Sequence, residues 1–179
     1  MKSDKNNIVF IVLLVIVWIV FVGLSIDAGA LIVNFIFSIL KPAAVNKLYL
    51  KLNLSDLYAY NRQAFFSIYS FGLVIAVLKA TLFYTLIQLL HKLDLSKPFT
   101  GFAVKKMLHI SYYTFAIGIL SLLGRQTLES LSLTENQIAM LNTYWVDSQA
   151  FILMAAVVYV IAQIFKRGVE LQNDNDLTV

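Results

Sequence analysis

Residues 8–26 read IVFIVLLVIVWIVFVGLSI, without one charged side chain. A run of about 18 or more apolar residues crosses a hydrocarbon core of about 30 Å as one helix. Each residue adds about 1.5 Å, and the helix satisfies its own backbone polar groups. Lys2 and Lys5 ahead of the run, with the small residues Ala28-Gly29-Ala30 after it, give it the outline of a secretory signal. The run exceeds the roughly 7–15 apolar residues such signals use, so it is expected to remain as an uncleaved anchor.

Three further runs follow. One covers 64–90 and is interrupted only by Lys79, one covers 108–123 between Lys105-Lys106 and Arg125, and one covers 150–165. The last is short for a bilayer, but Tyr144 and Trp145 before it provide an interfacial anchor, and Lys166 can snorkel from its other end. The composition agrees: 60% of the 179 residues are hydrophobic and 13% charged, against an apolar share of about 45–50% in soluble domains. The expected fold is an all-α integral membrane domain over 1–179, a bundle of four transmembrane helices. With no cysteine, disulfides and thiolate metal sites are excluded. The net charge of +4 is read as membrane orientation rather than direct nucleic-acid binding.

Basic residues set that orientation. The segment 91–106 carries Lys92, Lys97, Lys105 and Lys106 against Asp94; Lys2 and Lys5 precede the first run, and Lys166-Arg167 follow the last. Segment 124–149 has Arg125 with Glu129, Glu135 and Asp147. Both termini, the loop 91–106 and the tail 166–179 are therefore expected in the cytoplasm, with 27–63 and 124–149 outside. Segment 27–63 carries Lys41, Lys47, Lys51 and Arg62, which longer loops tolerate. Within it, Leu31–Leu40 (LIVNFIFSIL) reads as a separate short helix ended by Pro42, and 48–54 alternates like a half-buried strand. Ser55 is a candidate cap for the helix leading into the second run, and Thr134 with Gln137 is a candidate capping box ahead of the fourth. A small extracytoplasmic cap between the first two helices is the expected result.

Lys79 is the one charged residue deep in a run. A charge there costs about 2.5–3.5 kcal/mol on insertion scales and usually faces the bundle interior or a watery cavity, which makes Lys79 a candidate functional residue. The plainer alternative is a side chain that snorkels. Ser67, Ser70, Thr81, Thr85 and Gln88 form one polar stripe, and Ser111, Thr114, Gly118 and Ser121 another; both are expected as packing seams between helices. His91 and His109 lack a ligand partner at helical spacing. No nucleophile elbow, phosphate-binding glycine loop or HExxH is present, and Asp174 and Asp176 do not make an acid/base pair. No catalytic residue, cofactor or metal is expected.

Two stretches carry a family likeness: LDLSKPFTGFAVKKMLHIS (93–111) and IFKRGVELQNDNDLTV (164–179). They resemble the bacterial family of four-helix membrane proteins catalogued as domain of unknown function 2975. In that family a Pro-Phe-Ser/Thr loop joins the second and third helices, and the chain ends in Phe-x-x-Gly-x-x-Leu-Gln followed by an acidic Asp-Leu-Thr-Val/Ile. Pro98, Phe99 and Thr100 match the loop; Phe165, Gly168, Leu171, Gln172, Asp176, Leu177, Thr178 and Val179 match the ending. Lys97 departs from a frequent Asn, and Asn173 and Asn175 dilute the acidity of the tail. The resemblance implies a Gram-negative inner membrane and no agreed activity. Through the neighbouring genes common in the family, it also implies a small cytosolic helix-turn-helix regulator as partner.

With that likeness, Pro98 is expected to break the second helix and leave Phe99 in a basic loop, while Gly168 loosens or ends the fourth helix. The acidic-apolar tail would dock on the loop or on a cytosolic protein, gaining order on contact; its plainer role is a solubilising end. The leading expectation is a non-catalytic membrane sensor or regulatory partner. The alternative is a small transporter, channel or immunity-type protein working through Lys79. The seams would bury within one chain or between two copies, so a homo-oligomer stays open.

Overall fold

A computed structural model describes residues 2–40, 58, 61–94, 97–131 and 145–176. Four helices account for almost all of them: α1 (Lys2–Leu40), α2 (Arg62–Lys92), α3 (Gly101–Glu129) and α4 (Ser148–Asp176). All four are long and apolar enough to cross a membrane, and no strand occurs among the described residues. They pack in chain order, α1 on α2, α2 on α3 and α3 on α4, so α3 is the most enclosed and α1 the most exposed.

Each helix outruns the apolar stretch that announces it. Leu31–Leu40 is not a separate helix: α1 continues through it without a break, and its apolar part Ile8–Leu40 spans 33 residues, about 50 Å at about 1.5 Å per residue. A second set of backbone hydrogen bonds would be lost by stopping at Asp27, and no helix breaker stands before Pro42. The helix presents one side inward. Leu14, Val17, Phe21, Leu24, Ala28, Leu31, Phe35 and Ser38 recur every three or four residues and are buried or half-buried, while Ile19, Ile26 and Leu40 stand exposed. Such spacing holds one face against a neighbouring helix in a shallow left-handed crossing.

The helix starts are set by short polar side chains. Asn61, in extended conformation, caps α2 by accepting from the amides of Gln63 (2.9 Å) and Ala64 (3.3 Å). Asp147 accepts from Gln149 (3.0 Å) and Ala150 (3.1 Å) at the start of α4. Each cap satisfies amides that have no partner within the helix. Ser55, the 48–54 strand and the Thr134/Gln137 box lie outside the described residues.

Two contact regions hold the helices. Where α1, α2 and α3 meet, Ala64, Phe65, Ile68 and Tyr69 of α2 pack with Leu128 of α3, with Phe35 of α1 and Trp145 against them. The Tyr69 hydroxyl donates to the Leu31 carbonyl at 3.1 Å. Between α3 and α4 the interface is made of small residues. The Ser111 hydroxyl donates to the Ala155 carbonyl and the Ser121 hydroxyl to the Val146 carbonyl, each at 2.9 Å. At Gly118 an added Cβ would meet Ile152 Cγ1 at 2.8 Å and the Ser148 carbonyl oxygen at 3.1 Å. The α3 stripe is therefore a packing seam, as expected. The α2 stripe packs only in its second half: Ser67 and Ser70 are exposed, whereas Thr85 is buried and the Gln88 side-chain oxygen accepts from Lys106 of α3. Trp145, expected as an interfacial anchor, turns onto α3, where a Cβ at Gly124 would sit 2.7 Å from its ring.

Gly118→Val forces a branched side chain into that seam and is expected to cost about 1–3 kcal/mol. Ser111→Ala removes one interhelical hydrogen bond and should cost about 0.6 kcal/mol. Reversible unfolding in mixed detergent micelles measures both. Equal, small losses would mean that close approach at Gly118 does not hold α3 on α4.

Candidate functional site

The α2–α3 loop and the end of α4 meet through one aromatic ring. α2 ends at Lys92, capped by Leu93 in extended conformation, and α3 begins at Gly101. The connection is thus shorter than the expected 91–106, with Lys105 and Lys106 already on α3. Pro98 does not break α2, which stops six residues before it. Thr100, matched only as a motif position, has a local role: its hydroxyl oxygen accepts from the Ala103 amide at 3.1 Å and caps α3. Pro98 fixes its own φ and biases Lys97 toward extended backbone, which keeps the chain from entering the helix early.

Phe99, just before that cap, lies on α4. Its ring stacks edge-on against Phe165, with centroids 5.2 Å apart. A Cβ at Gly168 would fall 2.5 Å from Phe99 Cδ1 and 2.8 Å from Cγ. Only glycine leaves room for the ring there, so Gly168 serves as the floor of an aromatic contact. It does not loosen or end the helix, which continues to Asp176. Phe99 remains 39% exposed, so its outer face is still available to a partner.

Around Gly168, α4 carries an exposed ion pair, Arg167 to Glu170 at 2.6 Å, and beyond it an exposed Leu171. Exposed pairs of this kind contribute little to stability; they sustain a helical turn outside the apolar stretch. Gln172 is half-buried. Leu177, Thr178 and Val179 lie outside the described residues. The structure therefore brings together Pro98, Phe99, Thr100, Phe165 and Gly168, and carries Leu171, Gln172 and Asp176 onward on the same helix.

Lys79 stands apart, half-buried in the middle of α2. Among the described residues no ion pair involves it. His91 is exposed, and His109 is half-buried beside Tyr113, their ring centroids 6.1 Å apart. Among the described residues no group of three or more His, Asp or Glu side chains converges on a metal-sized site.

Sequence reasoning overlooked Phe102. Lys92 and Lys106 place their ammonium groups 5.0 Å and 5.6 Å from its ring centroid, and Lys106 also donates to the Gln88 side-chain oxygen. The spacing of Phe102 and Lys106, four apart on one helix face, was the available signal; Lys92 comes from another helix and gave none.

A family model described as a protein of unknown function, DUF2975, matches residues 39–179. The chain belongs to this family. The match takes in α2, α3 and α4 with the loop and the tail, and hence both the Phe99–Gly168 contact and Lys79. No curated protein and no solved structure matches the chain. Within the DUF2975 frame the four candidate spans suggest a multi-pass membrane protein.

The aromatic contact has a direct test, since the chain holds no cysteine. Cysteines introduced by Phe99→Cys and Gly168→Cys fall within reach of a disulfide, whose Cβ atoms stand about 3.8 Å apart. Mild oxidation is expected to close it within one chain, read as a mobility shift reversed by reductant. Phe99→Cys with Leu171→Cys, nearly one turn further along α4, should remain open.

Proposed function

We propose that this DUF2975 member is a non-catalytic, multi-pass protein of the bacterial inner membrane that senses a membrane state and passes it to a small cytosolic helix-turn-helix regulator. The observation that carries this is the seating of Phe99 on Gly168. It couples the α2–α3 loop to the last turns of α4, so a displacement among the membrane helices moves the helical tail.

Charge and packing support the topology. Leu14 and Trp18 of α1 line one cleft with Gln88 and Phe102, while Phe99 touches α4. The beginning of α1, the loop and the end of α4 thus share one end of the bundle. That end carries Lys92, Lys97, Lys105, Lys106, Lys166 and Arg167, which marks it as cytoplasmic under the positive-inside rule. The opposite end holds the cluster of Phe35, Tyr58, Phe65, Phe66 and Tyr69. It would form the base of an extracytoplasmic cap, reached by an α1 too long for a core of about 30 Å.

The docking surface under this proposal is the outer face of Phe99 with the exposed Leu171 further along α4, next to Arg167 on that helix. An apolar side chain flanked by charges on a helix is a usual ground for a partner helix. Transport through Lys79 is the second reading, favoured by a half-buried cation that no carboxylate pairs among the described residues.

Affinity capture from native membranes, with mass-spectrometric identification, separates the two. The full chain is expected to recover a helix-turn-helix protein, and a chain truncated after Gly168 is expected to lose it. Recovery of no cytosolic protein by either form removes the main support of the regulatory reading. An ion or solute flux in liposomes that Lys79→Leu abolishes would favour transport.

A further inference from the structure

A second feature at the same end of the bundle has a different chemistry. α1, α2 and α3 enclose an open cleft of about 600 Å³. One wall is apolar: Leu14 and Trp18 from α1, with Tyr84 from α2. Trp18 and Tyr84 are 45% and 46% exposed, so this wall opens outward beside an α1 that is apolar all round at this level. The other wall is cationic. Lys92 from α2 and Lys106 from α3 converge on the two-helix corner filled by Phe102, which holds both ammonium groups by cation–π attraction.

We infer that this cleft binds one anionic phospholipid, its phosphate between Lys92 and Lys106 and an acyl chain along Leu14 and Trp18. The inference rests on the membrane placement proposed above and is independent of the regulatory partner. Lysines that only set orientation have no need to converge. Two like charges gathered on one ring repel each other, and an anion between them removes that repulsion. The apolar wall decides what kind of anion. A soluble phosphate or a nucleic acid gains nothing from Leu14 and Trp18, whereas an amphiphile matches both walls at once. Basic pockets between helices at the cytoplasmic boundary suit anionic headgroups for this reason. Gln88 completes the polar end: its side-chain oxygen accepts from Lys106, and both residues line the cleft.

The test uses Trp18 as reporter, in full-length protein carrying Trp145→Phe, because the chain has two tryptophans. The protein is reconstituted in phosphatidylcholine vesicles with an equal mole fraction of either brominated phosphatidylglycerol or brominated phosphatidylcholine. The anionic lipid is expected to associate at Trp18 roughly five-fold more strongly than the zwitterionic one. Lys92→Gln with Lys106→Gln should abolish that preference. Lys97→Gln with Lys105→Gln removes the same charge from exposed positions outside the cleft and should preserve it. If the first pair does not insert, Lys92→Gln alone, at an exposed side chain, is expected to lower the preference where Lys97→Gln does not.

Equal quenching by the two lipids overturns the inference. So does an equal loss from both pairs of substitutions, which would mean diffuse surface charge. A preference removed by inorganic phosphate, but not by chloride at the same ionic strength, would assign the cleft to a soluble anion and overturn the lipid. No quenching by either lipid would sink the membrane placement itself, which keeps that failure distinct.

Discussion

The close approach of α3 to α4 at Gly118 is the constraint from which the rest of the arrangement follows. In a hydrocarbon solvent, apolar side chains gain little by leaving lipid for protein, so helices associate through packing and hydrogen bonds. Gly118 removes the side chain that would hold Ile152 and the α4 backbone away. Ser111 and Ser121, one above and one below, then reach carbonyls across the seam. These three positions are buried and fix the height of α4 against α3. The height matters at the loop end, because Phe165 and Gly168 meet Phe99 only in that register.

The existence of four helices was legible because each contains an apolar run near the length of a membrane crossing, interrupted in α2 only by Lys79. Their ends were not. Lys105, Lys106 and Lys166 read as borders, yet a charged side chain on a helix end reaches water without stopping the backbone. What starts and stops these helices is local: Asn61, Thr100 and Asp147 as caps, and extended backbone at Leu93. Such short polar residues are common in loops, and several competed for the role. The inward face of α1 was hidden for a different reason. Leu14, Val17, Phe21 and Leu24 carry no contrast against Val15, Ile16 and Ile19, because the lipid-facing side is as apolar as the seam.

The candidate site was legible as a list of positions and not as a geometry. Pro98, Phe99 and Gly168 stood out by family likeness, but their roles were assigned from local propensity, in which proline breaks and glycine ends helices. A glycine inside a helix costs only about 1 kcal/mol relative to alanine, and is kept where a neighbour needs the space. Here that neighbour is a ring about seventy positions earlier in the chain, a separation at which no local pattern gives warning. Thr100 shows the converse: its capping role is entirely local, and motif matching passed over it.

Coupling at the loop end depends on what is rigid. α4 lies at the edge of the assembly, held by α3 alone among the major helix contacts, and most of its surface faces outward. An edge helix of this kind would slide or tilt easily along a smooth partner. The Ser111 and Ser121 hydrogen bonds oppose sliding along the seam, and the Phe99–Gly168 contact opposes it at the loop. A ring seated on a glycine loses a sizeable part of its dispersion contact on a small withdrawal. Under the sensing role proposed above, that sensitivity would carry a change in helix position to the surface at Phe99. The cationic cleft on the other side of the loop shares α2 and α3 with it. Under the lipid inference above, its occupancy would bear on the same two helix ends that set the loop.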